Sequence, residues 1–476
     1  MVKLTQDQFD LYTYKNTGKS VSVRSFTWTN QSHVSVQVIT YGATITSMKV
    51  PDKNGAIKDV VGGGSTIAEY QKAEVYFGAT VGRVANRIGN GQFRLFDQIV
   101  NVSKNLGKHQ LHGGFVGFDK VKSDFGRLGP KLVKAFTWKS SNVSVQVITY
   151  GATITSIQMP DKKGVSADVV TGFRNLEEYQ NPLNRYFGAT VGRVANRIKF
   201  GKVKIADTSY SLSTNRGAHH LHGGFKGFDK VIWEYYVSGN KVIMSYHSAD
   251  GEEGYPGDVV VHATFELTEN NEFLVEYKAT TTKPTFVNLT NHSYFNLAGH
   301  DAGASELYKH VVCINADQIT EVDNDSIPTG KLLPVANTVF DLQVPKVLGD
   351  VITKVPNSDG FDHNFCINKG PEQGTTFIAR VYHPESGRML EVYSNQPGVQ
   401  FYTSNFFPEN PKTYKGDKTK LATLSGKGAS YYKHGALCLE TQNWPDAPNH
   451  DNFPKSILVP GETYHHNVAY KFSVKN

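Results

Sequence analysis

Residues 259–277 read VVVHATFELTENNEFLVEY, and the order of these side chains decides the class of the fold. Val259, Val261, Ala263, Phe265 and Leu267 alternate with Val260, His262, Thr264 and Glu266. A period of two sends each set to its own face of a strand. Glu269-Asn270-Asn271-Glu272 then separates this run from Phe273-Leu274-Val275-Glu276-Tyr277, as a hairpin connection does. Val143, Val145 and Val147, alternating with Ser144 and Gln146, write the same pattern earlier in the chain. Forty-four glycines and nineteen prolines punctuate the rest, and no segment sustains a helical period. An all-β protein of many antiparallel strands is expected, built as a large two-sheet β-sandwich. Tyr464–Val474 is expected to be its last strand.

The chain also writes its beginning twice. VSVQVITYGATITS occupies 34–47 and 143–156, YFGATVGRVANRI occupies 76–88 and 186–198, and LHGGF…GFDKV occupies 111–121 and 221–231. A spacing near 110 residues is too long for a solenoid, so the pattern reads as a partial domain duplication within 476 residues. The segment KVKSDFGRLGPKLVK at 120–134, with Gly126, Gly129 and Pro130, reads as a short linker. Residues 1–132 are therefore expected to be an incomplete copy and 133–476 a complete domain.

Composition narrows the function. The net charge of +7 is spread without a basic run or helical stripe, which argues against nucleic acid as a partner. The N-terminus lacks an apolar core of signal-peptide length, and no run approaches the roughly 18 apolar residues of a membrane span. Cys313, Cys366 and Cys438 are odd in number and have no paired spacing, which fits a reducing compartment and makes neither a disulfide framework nor a metal site. A cytoplasmic protein without membrane contact is expected. The sequons at Asn101, Asn142, Asn288 and Asn291 are then chance matches.

Several residues carry candidate chemistry. His222 stands between Leu221 and two glycines, where a tight turn presents an imidazole to a binding loop, or merely bonds it to local backbone. His292 lies in Asn291-His292-Ser293-Tyr294-Phe295-Asn296, where polar tips alternate with aromatic faces suited to a sugar ring; a core histidine is the plainer alternative. Glu440 ends the apolar approach Leu437-Cys438-Leu439. Partial desolvation there raises a carboxylate's pKa and makes it a stronger base, although an ordinary strand-end Glu would look the same. Asp362 and Gln400 add a carboxylate and an amide, and Arg197 after Asn196 offers a fork of donors or a structural ion pair.

Taken together, these blocks resemble the aldose 1-epimerase family, the galactose mutarotases, across residues 133–476. The resemblance is carried by FGATVGRVANRI, LHGGFKGFDKVIW, TNHSYFNLAGH, GFDHNF, EVYSNQPGVQFYTSNF and LCLETQNWPDAPNH. It implies a galactose mutarotase-like β-sandwich that interconverts the α and β anomers of free aldoses such as galactose and glucose, with no cofactor and no metal. It further implies Glu440 as the base at the C1 hydroxyl and His292 as the acid at the ring oxygen, assisted by His222. Asn196, Arg197, Asp362 and Gln400 would hold hydroxyls, and Ser293 and Tyr294 would line the pocket.

The first copy has Asn86, Arg87 and His112 opposite Asn196, Arg197 and His222, but nothing opposite His292, Asp362, Gln400 or Glu440. It is expected to be non-catalytic, and to dock or stay partly unfolded rather than exchange with 133–231. Two rival readings are a silent carbohydrate-binding protein and a hexose-phosphate epimerase. The retained acid–base pair opposes the first, and the absence of a basic cluster beyond Arg197 opposes the second.

Overall fold

The computed structural model describes residues 2–13, 20–72, 75–82, 84–95, 98–102, 104–112, 124–129, 131–370, 374–417 and 421–475. It divides into two compact units, Met1–Ser123 and Asp124–Asn476. Most of the first copy's LHGGF…GFDKV block, residues 113–121, lies outside the described residues, as do residues 120–123 and 130 of the expected linker.

The opening hairpin is present. Val259–Leu267 pairs antiparallel with Glu272–Thr281, Leu267 standing opposite Phe273, and odd-numbered residues of the first strand are buried while Val260 and His262 are exposed. These two strands lie in an antiparallel sheet of nine. Its order is Glu234–Ser238, Lys241–Ser248, Val259–Leu267, Glu272–Thr281, Tyr464–Val474, Arg388–Ser394, Thr376–Tyr382, Val311–Ile314 and Lys346–Val347. The chain's last strand is central in this sheet, so its main chain is hydrogen-bonded on both sides.

A second antiparallel sheet has six strands, in the order Tyr294–Phe295, Leu437–Gln442, Gly398–Tyr402, Asp362–Ile367, Ala316–Val322 and Pro328–Pro334. One face is apolar: Phe295, Leu437, Leu439, Val399, Phe401 and Phe365 share a single core with Phe265, Val275 and Tyr470 of the nine-stranded sheet. By the pleat, alternate residues must point to the other face. Those residues are Cys438, Glu440 and Gln442 on one strand, Gln400 and Tyr402 on the next, and Asp362 and Asn364 on the third. The site is therefore built on the rear of a core sheet.

The two copies of the repeat fold alike locally. Ser20–Thr29, Ser35–Ile39, Thr44–Pro51 and Ile57–Asp59 form successive antiparallel neighbours in the first unit. Lys131–Lys139, Ser144–Ile148, Thr153–Pro160 and Ser166–Asp168 do so in the second. The register slips at Gln37/Val38 in one and at Gln146/Val147 in the other, which are matching residues. Burial differs sharply. Trp28, Phe77 and Val84 are 41%, 46% and 43% exposed, against 8%, 0% and 3% for Trp138, Phe187 and Val194. Among the described residues the core of the first unit comprises Val23, Ile39 and Ile67, with Phe9, Tyr12 and Tyr41 against them.

The segment expected as a linker is corrected from Asp124 onward. Asp124–Leu128 is a strand paired with Lys131–Lys139, so the division falls at 123/124 and not at 132/133. Its glycines serve pairing: the register shifts between Asp124 and Gly126, and Gly129 turns the hairpin at φ +58. Phe125 packs at 5.8 Å from the Tyr179 ring, which fixes the strand to this unit.

Candidate functional site

Glu440, Gln400 and Asn364 are direct cross-strand neighbours, as are Tyr294, Cys438, Tyr402 and Asp362 one rung along. Register alone thus places two carboxylates and two amides together on one face. Gln400 donates from Nε2 to Asp362 Oδ1 at 2.7 Å, and Arg197 Nη2 lies 3.5 Å from Asp362 Oδ2. The carboxylate keeps spare lone pairs for hydroxyls. Gln442 joins the row by donating to Asn364 Oδ1 at 3.2 Å and Gln400 Oε1 at 3.4 Å.

The segment containing His292 lays that ring over the rung. Its amide donates to the Ala189 carbonyl at 2.9 Å, and its carbonyl accepts from the Gly188 amide at 3.0 Å. The imidazole is stacked between Tyr294, with centroids 4.8 Å apart, and Tyr186, 5.8 Å apart. Its Nε2 lies 3.6 Å from Glu440 Oε1. Both side chains are buried, and the other Glu440 oxygen, Oε2, has no hydrogen-bond partner. An unpartnered buried acceptor is costly, and a substrate hydroxyl would satisfy it.

Burial also sets the protonation states. Desolvation, reinforced by the Asp362 charge, pushes the Glu440 carboxyl well above the usual carboxylate range. Desolvation brings His292 down to about 4. His222 is driven well below its ordinary value by desolvation and by His292 and Arg197 beside it.

His222 is held differently. Its Nδ1 accepts the Asn196 backbone N–H at 3.1 Å while its own amide donates to the Asn196 carbonyl at 3.0 Å. An Nδ1 that accepts carries no proton, so the neutral ring bears its proton on Nε2. His222 is thus a fixed neutral donor, and charging it would set two N–H groups against each other. Asn196, at φ +63, can take this left-handed turn because Asn tolerates it, and its Oδ1 accepts from the Arg197 amide at 2.9 Å.

The structure brings together Glu440, His292, His222, Asn196, Arg197, Asp362, Gln400 and Tyr294. Ser293 departs from the expectation. Its buried hydroxyl is engaged locally, donating to Asn291 Oδ1 at 2.6 Å. Tyr186 is a wall that the sequence pattern did not reveal, 4.7 Å from the His222 ring and under Lys230 Nζ at 5.1 Å; its place just before the repeated FGATVGR was the available signal.

Two groups among the described residues have ligand atoms close enough to share a cation. One is His222, His292 and Glu440. In the other, Glu306, His383 and Glu385, both carboxylates already accept from Lys309 Nζ, at 2.7 and 2.8 Å.

In the first unit the same local arm recurs. The Asn86 amide donates to His112 Nδ1 at 3.0 Å and Arg87 Nη1 to Asn86 Oδ1 at 3.3 Å, but Asn86 and Arg87 are exposed.

A family model described as Aldose 1-epimerase matches residues 24–123 and 134–471. The chain belongs to the aldose 1-epimerase family. Among its relatives, galactose mutarotase of Rattus norvegicus is 48% identical over 357 residues, covering 74% of this chain and 98% of that protein. Aldose 1-epimerase of Haemophilus influenzae is 34% identical, over 70% of this chain and 93% of that protein. Among solved structures, an aldose epimerase homologue from C. elegans superposes with a TM-score of 0.64 at 30% identity, over 72% of this chain and all of that one. Galactose 1-epimerase from Lactobacillus acidophilus gives 0.61 at 26%, over 74% and 98%. The mostly β, antiparallel architecture is that of these epimerases.

Proposed function

We propose that this aldose 1-epimerase interconverts the anomers of free aldoses such as galactose and glucose in a single site on residues 124–476, with Glu440 as base and His292 as acid. The observation that carries the assignment is the buried His292–Glu440 contact at 3.6 Å on the polar face of the six-stranded sheet. Glu440 takes the proton of the C1 hydroxyl while His292 gives one to the ring oxygen. The bond between C1 and the ring oxygen breaks, and an open-chain aldehyde results. Rotation about C1–C2 turns the other carbonyl face toward the ring oxygen, and the reverse transfers close the second anomer.

The pKa directions suit this cycle. The pair holds one proton, which burial rests on Glu440; ring opening starts from the carboxylate and imidazolium arrangement. Ring opening moves that proton, through the sugar, to leave a carboxylic acid and a neutral imidazole. Burial disfavours the charged arrangement and favours the neutral one, so the environment that raises Glu440 and lowers His292 assists ring opening. His222 donates its fixed Nε2–H to an oxygen of the sugar, while Asn196, Arg197, Asp362, Gln400 and Tyr294 orient it.

The first unit is, in this reading, an incomplete duplicate of the N-terminal part of the domain. It carries the orienting arm and neither acid nor base, so it does not catalyse. A cytoplasmic setting belongs to the same proposal and is supported by three unbridged cysteines.

Polarimetry of freshly dissolved α-D-galactose tests the assignment. The full chain should speed mutarotation well beyond buffer, and Glu440→Gln should lower kcat about 100-fold or more. No acceleration by the full chain overturns the activity, and a fully active Glu440→Gln overturns the base.

A further inference from the structure

We infer that Cys438 is a positioning residue for His292: its sulfur accepts a hydrogen bond from Nδ1–H and leaves Nε2 as the nitrogen that gives and recovers the proton of ring opening. The inference rests on the acid role proposed for His292. Cys438 and Glu440 are two residues apart on one strand and point to the same face. Cys438 Sγ lies 3.6 Å from His292 Nδ1, and Glu440 Oε1 lies 3.6 Å from His292 Nε2. The imidazole is therefore spanned between two side chains of one strand, its faces clamped by Tyr186 and Tyr294.

The cycle requires a particular tautomer. An imidazolium that has released its Nε2 proton keeps the other on Nδ1, and that N–H needs an acceptor. Among the described residues two acceptors bear on it, Cys438 Sγ and the carbonyl of His292 itself. The carbonyl already accepts the Gly188 amide. Sulfur is a weak acceptor. A carboxylate in its place would stabilise the imidazolium and weaken it as an acid, whereas a thiol orients the ring and leaves it acidic. The thiol is fully buried, and burial with Glu440 beside it pushes its pKa up, so it stays neutral. The other groups facing the ring are His222, Asp362, Tyr186, Tyr294 and Tyr402. His222 and His292 thus present opposite tautomers, Nε2–H and Nδ1–H.

Long-range 1H–15N correlation spectra of the full chain labelled with 15N-histidine read this directly near neutral pH, with the His292 signals identified by their loss in His292→Asn. The expected wild-type pattern is Nδ1–H for His292 and Nε2–H for His222. Cys438→Ala should move His292 toward Nε2–H and lower kcat roughly three- to tenfold, the weight of one hydrogen bond, with little change in KM. Cys438→Ser, which restores an acceptor, should recover Nδ1–H and most of kcat. A wild-type Nε2–H pattern overturns the inference, and so does a Cys438→Ala protein whose tautomer and kcat are unchanged. If Cys438→Ala does not fold, the wild-type spectrum decides alone. A wild-type Nδ1–H pattern without any mutarotation would sink the proposed function and leave the tautomer assignment standing.

Discussion

Replacing Gly188 by alanine should damage catalysis without touching a catalytic side chain. Gly188 sits at φ +67, and a Cβ built there falls well inside the contact distance of the Ile154 carbonyl oxygen. The left-handed conformation alone costs alanine about 1–2 kcal/mol. Restoring ordinary contact also moves the turn by about 1 Å. That turn holds His292, since the Gly188 amide binds the His292 carbonyl at 3.0 Å and the Gly188 carbonyl accepts from Asn291 Nδ2 at 2.8 Å. A displacement of this size at a catalytic group costs on the order of 100-fold, so kcat/KM for α-D-galactose should fall by about that factor. Gly78 is the built-in control. It is the matching residue of the first unit, at φ +59, with the same clash against the Ile45 carbonyl. Gly78→Ala should leave mutarotation within about twofold of wild type, because no acid or base is attached to that turn. Equal losses in the two variants would refute the assignment of catalysis to the second unit. A Gly188→Ala enzyme within threefold of wild type would refute the coupling of this turn to His292.

Glu440→Gln should be more stable than the wild type even as it loses activity. Burial raises the folded-state pKa of Glu440, so the group costs stability once pH rises above its unfolded pKa, by about 1.4 kcal/mol for each pH unit that separates the unfolded pKa from the folded one; urea unfolding should show a gap that is absent near pH 4 and opens as pH rises. Asp362→Asn removes a charge that raises both Glu440 and His292. Both limbs of the kcat/KM profile should therefore move to lower pH, and a profile that stays put or moves upward contradicts the electrostatics. Phe187 is wholly buried among Phe173, Tyr294, Phe407 and Tyr431, so Phe187→Ala should cost about 3–5 kcal/mol. Phe77→Ala, at its half-exposed counterpart, should cost about 1 kcal/mol or less, and the midpoint of thermal inactivation should fall in the first variant only.

Alternation made the sheets legible in sequence and singled out Glu440 as a carboxylate after an apolar run, although the strand runs on to Gln442 and Glu440 stands inside it. The short run of polar and aromatic residues at 291–296 invited reading every member as pocket lining, whereas the Ser293 hydroxyl is engaged by Asn291. Gly126 and Gly129 misled for another reason: composition does not separate the glycines of a bulge and a tight turn from those of a linker. Cys438 shares the parity of Glu440, but its partner His292 is 146 residues away. No local pattern records that approach. The protonation logic of the two histidines was likewise out of reach, since it depends on which backbone or side-chain atom meets each Nδ1.

Because Asn364, Gln400 and Glu440 stand on one rung across three adjacent strands, their separations are those of the hydrogen-bonded lattice, about 4.7–4.9 Å from strand to strand. The working distances are thus quantised by the main chain and not adjusted by a mobile loop. Diversification of such a catalyst is confined to swapping what stands on each rung, because sliding a strand by one residue would send Leu439 or Thr441 to the sugar and turn Glu440 inward. A protein built this way should keep its turnover nearly intact on warming until the sheet itself comes apart, then lose it all at once.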